Sequence, residues 1–388
     1  MRILWLTVDR SHRIAQQFDI FRSYVKHIAD VVEIVKSPAG DNGENMWQLS
    51  RNLINGEIET ENVLDKTLTK DSNFDFIFCD AFFAYLEEDW KAVGIPTGIL
   101  IEDIHQEVPK HQIVKAKEFG IENIFHRFNF GFHKYHPEAR GNFKCFWLPH
   151  SVDTKRFFYG TNNKKIDVLH VGVCPDTYYP YRARIVRQLA DKPYFKRIKR
   201  PRELGDRENS WPIDSDYAKL INSAYICITG GSIFDVPVQK YVEIPISNTL
   251  LMSNWFSDLG LLGFVPGKNM IKYDLDNVVE VVENTLKDKD RILTIAKEGY
   301  DLVSSKHTSQ VRSMQFINNI CQILNKPLEF KDVLPCSFQV NFNISKIGKK
   351  EVTMLKPNPK PRLRPIKEKS RQITGTDWRS RIATANNR

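Results

Sequence analysis

The sequence predicts an α/β protein with two Rossmann-like domains facing across a cleft and a basic C-terminal extension. Three observations lead there. Short, almost continuously apolar runs recur along the chain, each followed by a helix-like or loop segment. Strands buried on both faces of a parallel sheet read this way, because neither face meets water. The pattern breaks at a polar, strand-free stretch near 149–165 and then starts again. The length, 388 residues, exceeds one compact core and suits two.

Taken in order, the first set of runs is RILWLTV (2–8), VVEIV (31–35), FDFIFC (74–79), GILI (98–101), NIF (123–125) and CFWL (145–148), with amphipathic segments at Phe18–Ile28 and Trp47–Leu68. This βαβα pattern predicts an open, doubly wound sheet. The second set is IDVLHV (166–171), YICIT (225–229), NTLLMS (248–253) and NMIKY (269–273). Helices are expected from about Arg182 to Ala190, then at Asp216–Asn222, Val238–Glu243, Asn277–Leu286 and Asp290–Ser304. The expected division is a domain over 1–150, a second over 151–330 and a tail over 331–388. Ligands of such a pair bind at the carboxyl ends of the strands, in the cleft.

Composition narrows the class. No apolar run reaches the ~18 residues of a membrane helix. MRILWLTVDR reads as a first strand rather than a signal peptide. The six cysteines form no C-x-x-C pair, so a reduced, cytoplasmic protein is expected and zinc is not. The net charge of +9 is local: residues 346–388 hold thirteen Lys or Arg against Glu351, Glu368 and Asp377, and the rest of the chain is nearly neutral. That tail, with Pro357, Pro359, Pro361 and Pro365, reads either as a solubilising extension or as an electrostatic arm for a polyanion.

Candidate chemistry gathers where the second set of strands ends. Gly172 directly follows the first of them, where a glycine permits close approach of a ligand or backbone. Arg182 and Arg184 open the next helix, and cations there oppose its dipole unless an anion intervenes. Gly230 and Gly231 follow YICIT and form a loop suited to cradling a phosphate or sugar. Asp235 and Glu243, eight residues apart with Lys240 between them, offer acceptors for sugar hydroxyls and a cation for a phosphate. Solvated arginines, a tight turn and a Lys240–Asp235 ion pair are the structural alternatives. DSD (214–216) and DLD (274–276) mimic a metal-binding D-x-D, but helix-cap and turn roles suit them better, so no metal is expected. In the first half, LIEDIHQEV (100–108) brings Glu102, Asp103 and His105 to the end of a buried strand. The run FHRFNFGFHKYHPEAR (125–140) interleaves aromatic and basic residues, either as a stacking surface or as an amphipathic packing face.

In order and spacing, a series of segments resembles the GT-B glycosyltransferases, in particular the family that includes the spore-maturation protein CgeB. They are WLPHSVDTKRF (147–157), DVLHVG (167–172), YRARIVRQL (181–189), KYVEIPISNTLLMS (240–253), FVPGKN (264–269) and HTSQVR (307–312). The likeness covers roughly 147–325. It implies that Glu243 is the second acid of an E-x7-E motif and grips the ribose of a nucleotide-diphosphate sugar. Asp235, a shorter acid, stands where the first belongs. Arg182 or Arg184 with Lys240 would carry the diphosphate. Asn248 replaces a common glycine, and asparagine tolerates the positive φ of the turn. The implied reaction is metal-independent glycosyl transfer with no cofactor beyond the nucleotide sugar. The resemblance implies retention rather than a dedicated base. His105 would contact the transferred sugar or acceptor, and Glu102 or Asp103 would serve as base if the enzyme inverted. The loop after the first strand, with Asp9, Arg10, His12 and Arg13, lacks the glycines of related enzymes and points to a different acceptor. A nucleotide-sugar epimerase, or a non-catalytic protein binding a polyanion through its tail, are the competing readings.

Overall fold

The computed structural model describes residues 1–8, 17–36, 73–86, 88, 90, 93–104, 107–160, 163–198 and 214–333. The expected helix over 47–68, the loop holding Asp9 to Arg13, His105 and nearly all of the tail lie outside them.

The first sheet contains six parallel strands, β1 (Arg2–Val8), β2 (Asp30–Lys36), β3 (Phe76–Cys79), β4 (Thr97–Ile101), β5 (Asn123–His126) and β6 (Lys144–Trp147), in the order β2-β1-β3-β4-β5-β6. Strands β3, β4 and β5 are buried throughout, as their unbroken apolar runs require. Helices α1 (Gln17–Lys26), α2 (Glu107–Glu118) and α3 (Asn129–Tyr135) accompany them. The second sheet also pairs in parallel. It is built from β7 (Ile166–Val171), β8 (Phe195–Ile198), β9 (Ala224–Ile228), β10 (Leu250–Ser253) and β11 (Ile271–Lys272), in the order β11-β10-β9-β7-β8. Its helices are α4 (Pro180–Leu189), α5 (Asp214–Asn222), α6 (Lys240–Ile246), α7 (Ser257–Leu261), α8 (Val278–Leu286) and α9 (Lys289–Lys306).

Three differences from expectation have physical causes. FKRI (195–198) forms strand β8 although it carries two cations, because an edge strand needs only one apolar neighbour row. Helix α6 runs through Pro245 to Ile246 instead of ending before it. The missing N–H falls in the final turn, and Asn248 turns the chain with φ +51 two residues later. The last helix, α10 (Ser309–Ile323), returns to the first sheet. Phe316 lies 4.7 Å from Phe78 and 5.3 Å from Phe125, within a buried aromatic layer that includes Trp5. Lys326 then pairs with Asp75 at 2.7 Å. The stretch 151–330 thus contributes a helix to the layer over the first sheet.

Between the two sheets, the loop after β9 docks on α3. Val236 belongs to the first sheet's core cluster, and Phe234 meets Tyr135 edge-on at 5.3 Å. A Cβ on Gly131 would sit 2.8 Å from Val236 and 2.5 Å from Ile104, so α3 needs a glycine at that contact. Asp258 of α7, 0 % exposed, accepts hydrogen bonds from the backbone N–H of Asn129 (3.0 Å) and Phe130 (2.9 Å). The aromatic-basic run over 125–140 is mainly a packing face. Phe128 and Phe132 are buried and His126 stacks on Phe132 at 4.3 Å, while Phe130 stays exposed.

Candidate functional site

In the second sheet, β7 has β8 on one side and β9 on the other, so successive connections leave in opposite directions between β7 and β9. A crevice opens at the carboxyl ends of two such strands. Gly172 follows β7 there with φ +108, a conformation that favours glycine. A side chain at this position would also collide with the Lys240 ammonium, which donates to the Val171 carbonyl. The loop after β9 is clamped from three directions. Arg182 Nε donates to the Gly230 carbonyl at 2.7 Å, Asn254 Oδ1 accepts from Gly231 N–H at 2.8 Å, and Tyr273 donates to the Thr229 carbonyl at 2.6 Å. A loop held this way presents its backbone without further ordering.

Arg182 is the unusual member. It is 3 % exposed, its guanidinium lies 3.9 Å from the centre of the Tyr179 ring, and its Nη2 has no hydrogen-bond partner. Among the described residues no carboxylate pairs with it. A buried charge left without a counter-ion is costly, so the arrangement favours an incoming anion. Arg184 is elsewhere: two residues further along α4 it faces outward and pairs with Asp276 at 2.9 Å. Residues two apart on a helix point in nearly opposite directions, so only one of these arginines can face the crevice.

Glu243 lies one turn into α6, near Lys240 and Tyr217. Burial pushes its carboxyl up to about 7, with Lys240 and Tyr217 pulling the other way. Asp235 is separate from it. It sits exposed at the tip of the docking loop with φ +51, where surrounding bulk raises its carboxyl pKa and Lys134 of α3 opposes the rise. Thus Gly172, Arg182, Gly230, Gly231, Lys240 and Glu243 converge at the crevice, Asp235 borders it towards the first sheet, and Arg184 does not take part.

At the end of β4, Glu102 is half-buried and 3.6 Å from Arg127 Nε, and Asp103 is exposed. His150 and His170 are enclosed, and burial lowers both to about 3, so they are neutral at physiological pH. Among the described residues no group of three or more His, Cys, Asp or Glu is placed to hold a metal ion, and the five cysteines there are free. Tyr217, Asn254, Tyr273 and Asp258 had no motif to announce them, since their roles depend on elements distant in the chain.

Solved structures similar to this chain share its architecture. Sucrose-phosphate synthase from Thermosynechococcus elongatus matches with a TM-score of 0.54 at 10% identity, over 84% of this chain and 100% of that one. The fold is GT-B. HepE from Anabaena, in complex with UDP-glucose, matches with a TM-score of 0.54 at 12% identity over 84% of this chain and 99% of its own. The N-terminal domain of trehalose-6-phosphate phosphatase from Candida albicans matches with a TM-score of 0.57 at 10% identity, over 83% of this chain and 96% of that one. No protein-family model matches the chain. No curated protein matches it in sequence.

Proposed function

We propose that this GT-B chain is a glycosyltransferase that takes its sugar from a nucleotide-diphosphate sugar. The observation that supports the reading is Arg182, a buried guanidinium without an acid, beside the loop of Gly230 and Gly231 and across from Lys240 and Gly172. A diphosphate supplies the missing negative charge. Glu243 accepts from the ribose hydroxyls. HepE, a protein of this fold, was solved with UDP-glucose, which agrees with a nucleotide sugar as the ligand class.

In the reaction, the bond from the sugar's anomeric carbon to the diphosphate oxygen breaks and its electron pair stays on the departing diphosphate. An acceptor hydroxyl oxygen bonds to that carbon and loses its proton. Charge grows on the leaving group as the bond stretches, and Arg182 and Lys240 are placed to stabilise it without a metal ion. Retention is the reading for the stereochemistry. The acceptor approaches from the first sheet, where Glu102, Asp103 and His105 follow β4. Residues 151–330 form the donor half and 1–150 the acceptor half, in the manner of the CgeB-type family, and a cytoplasmic protein is the matching location.

The test is a panel of UDP-, ADP- and GDP-sugars, monitored by thermal shift and by release of nucleoside diphosphate. One of them is expected to raise the melting temperature and to be hydrolysed slowly without acceptor. Binding without any hydrolysis or transfer would point to a non-catalytic GT-B protein, and no response to any sugar nucleotide would refute the proposal.

A further inference from the structure

The loop from Gly230 to Gln239 leaves the second sheet and comes back to it. It starts at the crevice, where Arg182 and Asn254 hold Gly230 and Gly231. It ends where the Gln239 side-chain amide donates to the Ser151 carbonyl, in the segment that joins β6 to β7. Lys240 opens α6 at the next position. Between these anchors the loop turns to the first sheet. Val236 joins that sheet's core cluster and Phe234 packs against it, while Asp235 between them stays exposed with φ +51. Val236 is 5 % exposed and Pro237 after it is buried, so the fixed φ of proline stiffens the chain at this contact.

Val236 meets the segment that follows β4. A Cβ on Gly131 would lie 2.5 Å from Ile104 Cδ1 and 2.8 Å from Val236 Cγ1, so both side chains fill the space over one glycine. Ile104 is 2 % exposed and follows Glu102 and Asp103 directly. The loop on the donor side and the segment on the acceptor side therefore meet through two buried apolar side chains. Side chains packed this closely do not shift independently, because a small gap forfeits contact and a small approach creates overlap. A ligand held by Arg182 acts on the first residue of the loop, since Arg182 Nε holds the Gly230 carbonyl.

We propose that Val236 is a positioning residue, which packs with Ile104 over Gly131 so that donor binding in the crevice orders the segment of Glu102 and Asp103. The inference rests on the reading of this crevice as a donor site. Such coupling is reciprocal: losing the contact from either side lowers donor affinity, although both side chains lie in the core of the first sheet. Two substitutions that break the same contact are also not additive.

Calorimetric titration tests this with UDP, ADP or GDP, whichever binds the wild type. Val236→Ala and Ile104→Ala are each expected to weaken binding about fivefold, the low end for coupled sites, and the double variant by no more than about fivefold. Hydrogen exchange with and without saturating nucleotide is the second arm. In the wild type the nucleotide should slow exchange over 101–104 about fivefold and leave β2, the far edge strand of the same sheet, unchanged. Val236→Ala should lose that protection at saturation. If the alanine variants give no cooperative melt, the wild-type exchange decides alone. Wild-type affinity in both single variants, or a loss of about twenty-fivefold in the double variant, would overturn the inference and leave the donor reading standing. So would exchange over 101–104 that does not slow, or that slows no more than in β2. A wild type that binds none of the three diphosphates would refute the donor reading and this inference with it.

Discussion

At the scale of single residues, the site is a balance of two unsettled charges. Arg182 is a cation lacking an acid, and Glu243 is an acid whose burial favours the protonated form. Glu243 keeps its proton up to about pH 7 when folded but ionises near 4.5 when unfolded. Between those values the folded state holds the extra proton, so stability falls as pH rises through that window. Glu243→Gln should therefore gain about 3 kcal/mol over wild type at pH 8 and nothing at pH 4. Urea denaturation at the two pH values measures this, and an equal effect at both would contradict the assignment. Glu243→Gln should at the same time weaken nucleotide binding. Arg184→Ala is the contrasting case: its surface pair with Asp276 is worth about 0–1 kcal/mol, and nucleotide affinity should not change. The sequence marked both arginines because both lie near a helix's N-terminal end. It could not choose between them, since the choice is one of helix phase relative to the sheet.

At the scale of elements, the contact of the β9–α6 loop and α7 with α3 sets how the two sheets face each other. Asp258 satisfies two backbone donors of α3 while fully buried, and burial pushes its carboxyl up to about 6. Asp258→Ala leaves two N–H groups without a partner and should cost about 2–4 kcal/mol in chemical denaturation. Gly131→Val adds volume against Ile104 and Val236 and should cost about 1–3 kcal/mol. If both substitutions are neutral, the docked arrangement is not the one the protein adopts. Most strands were legible from their unbroken apolar runs, because a buried parallel strand has no polar face to disguise it. Strand β8 was not, since its two cations mask an edge strand. Helix α6 was cut short on paper by Pro245, which the final turn accommodates. The Asp258 contact was invisible because its partners lie more than a hundred residues away in sequence.

At the scale of the whole molecule, two parallel sheets and a returning helix explain why a chain read as two successive halves does not come apart cleanly. Helix α10 belongs by sequence to the second half and by packing to the aromatic layer of the first. The sheets were predictable from periodicity. The return was not, because HTSQVR and the residues after it carry no signal of which sheet they cover. The basic tail is the remaining large-scale feature. Removing residues 346–388 lowers the formal charge from +9 to about −1. Donor hydrolysis should persist in that truncation, while use of an anionic acceptor should fall and lose its steep salt dependence. Loss of donor hydrolysis would place the tail within the folded enzyme. The central claim, that Arg182 awaits a diphosphate, is tested most directly by titrating UDP into Arg182→Met alongside a thermal melt. The account predicts a cooperative melt that shows a folded protein together with UDP affinity weakened by about thirtyfold or more, since the ligand contact is lost. Affinity within about twofold of wild type, by the same arithmetic, would contradict it.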